Sequence, residues 1–154
     1  MNREEFIGIV SDKMKLVRVE VNFTQDHMAE IIGLSKKTLI QIEKGRLQTG
    51  WTTAVAFCTL FRDSDVLQSV FGNDPLEIIS VIAFKHYERP KEKTMGGKVW
   101  WKEVDQAGNF RLQQNMFSQH FRILDKQDRR WCSSFDEDYM KKRLQELSST
   151  QDNR

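Results

Sequence analysis

The sequence predicts an α+β protein, an all-helical N-terminal half followed by a small antiparallel sheet with a final helix. Three observations predict it. Apolar residues recur at three- and four-residue steps from Phe6 to Phe84. The stretch ERPKEKTMGG at 88–97 then combines charge, a proline and two glycines without periodicity. From residue 98 to 135, Val, Phe and Trp recur in short segments that alternate in polarity.

Residues 3–20 place Phe6, Ile9, Val10, Met14 and Val17 on one stripe, which predicts a first helix. Asn22 and Phe23 break it. Thr24 then stands as an N-cap whose hydroxyl accepts a free backbone N–H, so a second helix runs from Gln25 to Ile32. Gly33 makes the turn, Ser35 caps a third helix to about Lys44, and Gly45 stops it. Helical spacing continues from Trp51 to Phe61 and from Asp65 to Phe71, with Gly72 as terminator. Asp74-Pro75, a capping acid followed by proline at the first helical position, starts a sixth helix reaching about Tyr87.

Beyond the linker, the interruptions at 105–109 and 125–128 separate strands of a three- or four-stranded antiparallel sheet. Phe110, Leu112 and Met116, with Gln114 among them, share one face. Arg111, Gln113 and Asn115 share the other. Asp136 caps a last helix through Tyr139, Met140, Leu144 and Leu147. The predicted organisation is a helical domain at 1–73, a connecting helix and linker at 74–97, a β-rich dimerisation or effector domain at 98–149, and a frayed tail at 150–154.

Composition narrows function by exclusion. In 154 residues, 24 Lys and Arg face 22 Asp and Glu, so neither a strongly basic chromatin-like protein nor an acidic mimic fits. Residues 1–88 hold 10 basic and 12 acidic side chains and residues 89–154 hold 14 and 10, so any nucleic-acid affinity must come from a local patch. No apolar run spans a bilayer and the start MNREEFIGIV lacks the pattern of a secretory signal, which predicts a cytoplasmic protein without membrane partners. Cys58 and Cys132 stand far apart and predict buried free thiols. His27, His86 and His120 are isolated in sequence, which predicts no metal and no cofactor.

The informative segment is TQDHMAEIIGLSKKTLIQIEKG at 24–45. Ala29 is small where two helices must approach, Gly33 turns the chain, and Met28, Ile32, Leu34, Leu39 and Ile42 form a buried seam. Subtraction leaves Lys36, Lys37, Ile40, Gln41 and Lys44 on the exposed face of the third helix. The segment resembles the Cro and phage-repressor (XRE-type) helix-turn-helix family, whose pattern TQ-x3-A-x3-G-x-S-x2-T-x3-I-E-x-G is matched at every fixed position. The resemblance covers roughly residues 10–71. It implies a five-helix lambda-repressor-like domain, with the third helix in the major groove and the second across the backbone.

On that resemblance Gln25 contacts a phosphate, Lys36, Lys37 and Gln41 read bases, and Thr38 meets a phosphate or a thymine methyl. With Ser35, Lys44 and Arg46 these residues form the expected DNA-binding set. After Gly45 the chain departs from the family, carrying RLQTGWT without the usual proline. Glu43, an acid inside this basic patch, is expected to organise lysines or backbone groups.

The expected function is a sequence-specific transcriptional regulator, a repressor that binds double-stranded DNA as a homodimer on an inverted repeat. The alternative is an antitoxin-like DNA-binding protein whose C-terminal domain clamps a protein partner. In that domain Arg111, Arg122, Arg129 and Arg130, with Lys102, suggest an anion surface, and the aromatics suggest core, a dimer contact or an effector pocket. A self-cleaving serine–lysine arrangement of Ser118, Ser133 or Ser134 with Lys126 is rejected, because no cleavage site or dyad setting is recognisable. No enzymatic activity is expected.

Overall fold

Asn2 opens helix α1 (Arg3–Glu20) with a capping box, its side chain accepting from the Glu5 N–H while Glu5 accepts from the Asn2 N–H. The chain is described here by a computed structural model over residues 1–72, 74–88, 92–93 and 99–151. It divides into two compact units, Met1–Leu76 and Glu77–Arg154. The division falls inside the sixth helix rather than at residue 73, so most of that helix belongs with the sheet.

The first unit contains α1, α2 (Gln25–Ile32), α3 (Lys36–Glu43), α4 (Trp51–Leu60) and α5 (Asp65–Phe71). Helix α1 packs against α3, α4 and α5, and buries Phe6, Val10, Met14 and Val17 completely. Phe6 stacks on Phe71 at 5.1 Å and meets Trp51 edge-on at 5.7 Å, which ties both ends of the unit to one ring. Glu20, at the end of α1, accepts from the Ser64 hydroxyl and from the Asp65 N–H at 2.7 Å, so it helps to cap α5.

The second unit starts within α6 (Pro75–Phe84), which Asp74 caps by accepting from the Leu76 N–H. The helix stops at Lys85, which has a φ of 62°, and not near Tyr87 as the periodicity predicted. Two short strands, β1 (His86–Tyr87) and β2 (Glu92–Lys93), occupy the region read as helix end and linker. Gly96 and Gly97 of that linker lie outside the described residues. Then come β3 (Trp101–Ala107), β4 (Phe110–Asn115), β5 (Phe121–Leu124) and β6 (Arg129–Ser134), an antiparallel sheet in the order β6-β5-β4-β3 with β1 and β2 both paired to β6.

Two turn boundaries differ from the sequence expectation. β3 continues through Asp105, Gln106 and Ala107, so the first turn is confined to Gly108 and Asn109. Met116 is not a strand residue facing the core. The Asn115 side chain accepts from the N–H groups of Phe117 and Ser118, and that side-chain turn ends β4 and leaves Met116 58% exposed. Gly108 has a positive φ of 55°, which is the conformation that favours glycine in this turn.

Helix α7 (Glu137–Gln151) covers one sheet face, packing Met140, Leu144 and Leu147 on Phe110, Leu112, Phe121, Ile123 and Cys132. It extends into the segment expected to fray, up to Gln151. Cys58 and Cys132 are buried free thiols, pushed up to about 12 by desolvation. Trp101, Phe110 and Phe121 are core, whereas Trp100 and Phe117 lie edge-on to each other at 4.8 Å and remain exposed beside Val99 and Met116. No helix among the described residues is long and apolar enough to cross a membrane.

Candidate nucleic-acid interface

The local geometry of α2 and α3 follows from four residues. Thr24 accepts from the His27 N–H at 3.2 Å and starts α2. Gly33, at a φ of 73°, ends it: the Leu34 N–H bonds to Ala29 O at 2.9 Å and the Gly33 N–H to Glu30 O at 3.3 Å. Ser35 then accepts from the Thr38 N–H and starts α3 only one residue later. Gly45 repeats the device at the end of α3, where the Arg46 N–H reaches Gln41 O at 3.0 Å.

These turns fix which face of α3 is hidden. Leu39 and Ile42 are buried with Met28, Ala29 and Ile32, and Leu34 is half-buried. Lys36, Lys37 and Lys44 are exposed, and Ile40 and Gln41 are half-buried on the same side. Four members of the expected set already have side-chain partners: Ser35 and Thr38 each other, Lys36 an acid of α2, and Gln25 the Glu43 carboxylate. Ser35 and Thr38 share a hydroxyl contact at 2.8 Å, which makes Ser35 first of all a helix cap. Lys36 Nζ lies 2.8 Å from Asp26, an exposed pair worth about 0–1 kcal/mol and readily exchanged for another anion.

The acid in the basic patch has a partner that sequence reasoning missed. Glu43 is held by Arg18 of α1 in a two-pronged ion pair, Nε to Oε1 at 2.6 Å and Nη2 to Oε2 at 3.0 Å. Gln25 donates its amide to the same carboxylate at 2.8 Å. The expectation that Glu43 organises lysines or backbone groups is corrected accordingly: it ties α1, α2 and α3 together. Burial pushes the Glu43 carboxyl up, but the Arg18 and Gln25 hydrogen bonds outweigh it and hold the group below the usual carboxylate range. The third guanidinium nitrogen of Arg18 also donates to Phe23 O, at 3.0 Å, just before α2.

Lys15, Arg18, Gln25, Ile40, Glu43 and Lys44 line an open cleft of about 430 Å³ beside α3. Lys15 was not singled out from the sequence, and it adds a cation on the α1 side of this cleft. Arg46 is exposed in the segment that departs from the family pattern. That segment is nevertheless anchored, because the Thr49 N–H donates to the buried Ser11 hydroxyl at 3.0 Å and Gly50 then begins α4.

Each serine that the sequence sets beside Lys126 has a hydrogen-bond partner elsewhere in the second unit. Ser118 bonds His120 at 2.5 Å, Ser133 donates to Glu77 at 2.7 Å, and Ser134 donates to Lys85 O at 3.0 Å. Compared with protein-family models, curated proteins and solved structures, the chain finds no match.

Proposed function

We propose that this protein is a sequence-specific transcriptional regulator of double-stranded DNA, a repressor built on a five-helix lambda-repressor-like unit with α3 in the major groove. The observation that supports it is the α2–α3 arrangement. Leu39 and Ile42 are buried, while Lys36, Lys37, Gln41 and Lys44 share the opposite side of a helix fixed at both ends. Lysine donates to guanine O6 and N7 and glutamine bonds adenine bidentately, each good pair contributing about 1–3 kcal/mol of discrimination. Because the Gln25 side-chain amide is committed to Glu43, its phosphate contact in this reading is the backbone N–H in the first turn of α2. The reading includes a cytoplasmic location, no catalysis and a homodimer, since one recognition helix gains affinity when two sit on half-sites about 34 Å apart.

Selection of bound sequences from a random duplex pool at physiological salt tests it, with an inverted repeat as the expected product. Gln41→Ala is expected to weaken binding to the selected site by about 1–3 kcal/mol and to leave random DNA unchanged; equal losses on both would remove the base-reading role. Arg46→Ala is expected to weaken binding to both DNAs and to lower the salt slope by about one, as measured by titration at several salt concentrations.

The exposed Val99, Trp100, Met116 and Phe117 favour a second reading, in which the sheet unit of an antitoxin-like protein clamps a protein partner. Sedimentation separates the two. A dimer on DNA carrying the selected repeat supports the first reading, and a chain that stays monomeric with and without that DNA supports the second.

A further inference from the structure

The sequence groups four arginines in the second unit, and the structure treats one of them differently. Arg111 pairs with Asp128 and lies 3.7 Å from Glu103. Arg129 meets Asp125 at 2.8 Å, and Arg130 meets Glu77 at 3.0 Å. Arg122 has no carboxylate within ion-pair distance among the described residues, although it is only 1% exposed.

Its surroundings hold the guanidinium in one plane. On β5 it faces away from α7, between Gln113 of β4 and Ser133 of β6, its cross-strand neighbours. Its Nε donates to Gln113 Oε1 at 2.9 Å, while Gln113 passes its own amide to Glu103 at 2.8 Å. The guanidinium carbon lies 3.7 Å from the centre of the Trp101 ring, a cation–π stack. That leaves the Nε bond as its one hydrogen bond among the described residues, and its Nη2 is buried without an acceptor.

A buried N–H without a partner is costly, and more so on a charged group. Burial accordingly lowers the Arg122 pKa to about 10. A planar fork with unspent donors, pre-oriented by an indole face and a glutamine, matches the two in-plane oxygens of a carboxylate or of a phosphate group.

We infer that Arg122 is the receptor of an anion-binding site in the sheet unit, which takes the carboxylate or phosphate oxygens of a small ligand through its terminal guanidinium nitrogens. Gln113 and Trp101 position it. The site rests on the second unit alone and stands independently of the DNA reading.

Thermal unfolding of the full chain tests it, with acetate or phosphate exchanged for chloride at constant ionic strength. One of the two anions is expected to raise the wild-type Tm saturably, by about 5 °C or more, which also identifies the ligand class. Arg122→Met is expected to lose that response and to be at least as stable as wild type in chloride, because it removes a buried unpaired charge. A wild-type Tm indifferent to both anions, or an equal response in Arg122→Met, overturns the proposal. Should Arg122→Met not fold, the Arg122 Nε–H resonance of the wild type, assigned with Arg122→Lys, decides: a saturable shift with acetate or phosphate supports the site and no shift overturns it.

Discussion

Replacing Glu43 with alanine is expected to cost the helical unit about 1–3 kcal/mol, the range for leaving hydrogen-bond donors without their acceptor. The Glu43 side chain is 4% exposed and that of Arg18 15%, so the variant leaves a largely desolvated guanidinium with two donors facing no acceptor. The Gln25 amide loses its acceptor too. Urea unfolding followed by circular dichroism measures the loss, and a change below about 1 kcal/mol would contradict the buried-pair reading. The double variant Arg18→Met with Glu43→Leu is expected to recover most of it, since apolar packing of similar volume replaces both charges. The pH dependence has a definite sign. The carboxyl is depressed in the folded state, so its contribution is present above the unfolded value of about 4.3 and is lost as pH falls below it.

How legible the fold was depends on how local its causes are. The starts of α2 and α3 could be read because Thr24 and Ser35 cap within three residues, and their ends because Gly33 and Gly45 take positive φ. Strands β1 and β2 could not. Each is two residues long without periodicity, and each exists because β6 pairs with it far along the chain. The polar run at 105–107 imitates a turn, because β3 is paired only with β4 among the described residues and an edge strand tolerates charge. At 115–119 the opposite error arises: alternation runs on through Met116 while the Asn115 side chain diverts the backbone.

The candidate interface divides in the same way. Lys36, Lys37, Gln41 and Lys44 could be placed on one face from helical periodicity alone. The clamp behind them could not, since Arg18 lies 25 residues from Glu43 and nothing in the spacing of either names the other. Among the arginines of the sheet, composition gave four equal cations. Only the carboxylates that folding brings to three of them separate Arg122 from the rest.

Glu77 organises the sheet unit as Glu43 organises the helical one, and Glu77→Ala is expected to destabilise that unit by about 3–5 kcal/mol. The residue is 4% exposed, and one oxygen accepts from Ser133 at 2.7 Å while facing Arg130 at 3.0 Å and His120 at 3.4 Å. The His120 contact is long for a hydrogen bond. Burial pushes the Glu77 carboxyl up, but His120, Arg130 and Ser133 together outweigh it and hold it well below the carboxylate range. A depressed folded-state pKa stabilises above the unfolded value of about 4.3, and that stability drains away as pH falls toward the folded one. Wild type is therefore expected to lose unfolding free energy steeply below about pH 4. Glu77→Gln keeps an acceptor for Ser133 but no charge, so it should be less stable at neutral pH and show a flatter acid limb. Unfolding midpoints measured from neutral to acid pH decide the matter. Parallel acid limbs for the two proteins would mean that the carboxylate does not carry the charge balance of this face, and that Arg130 is neutralised by other groups.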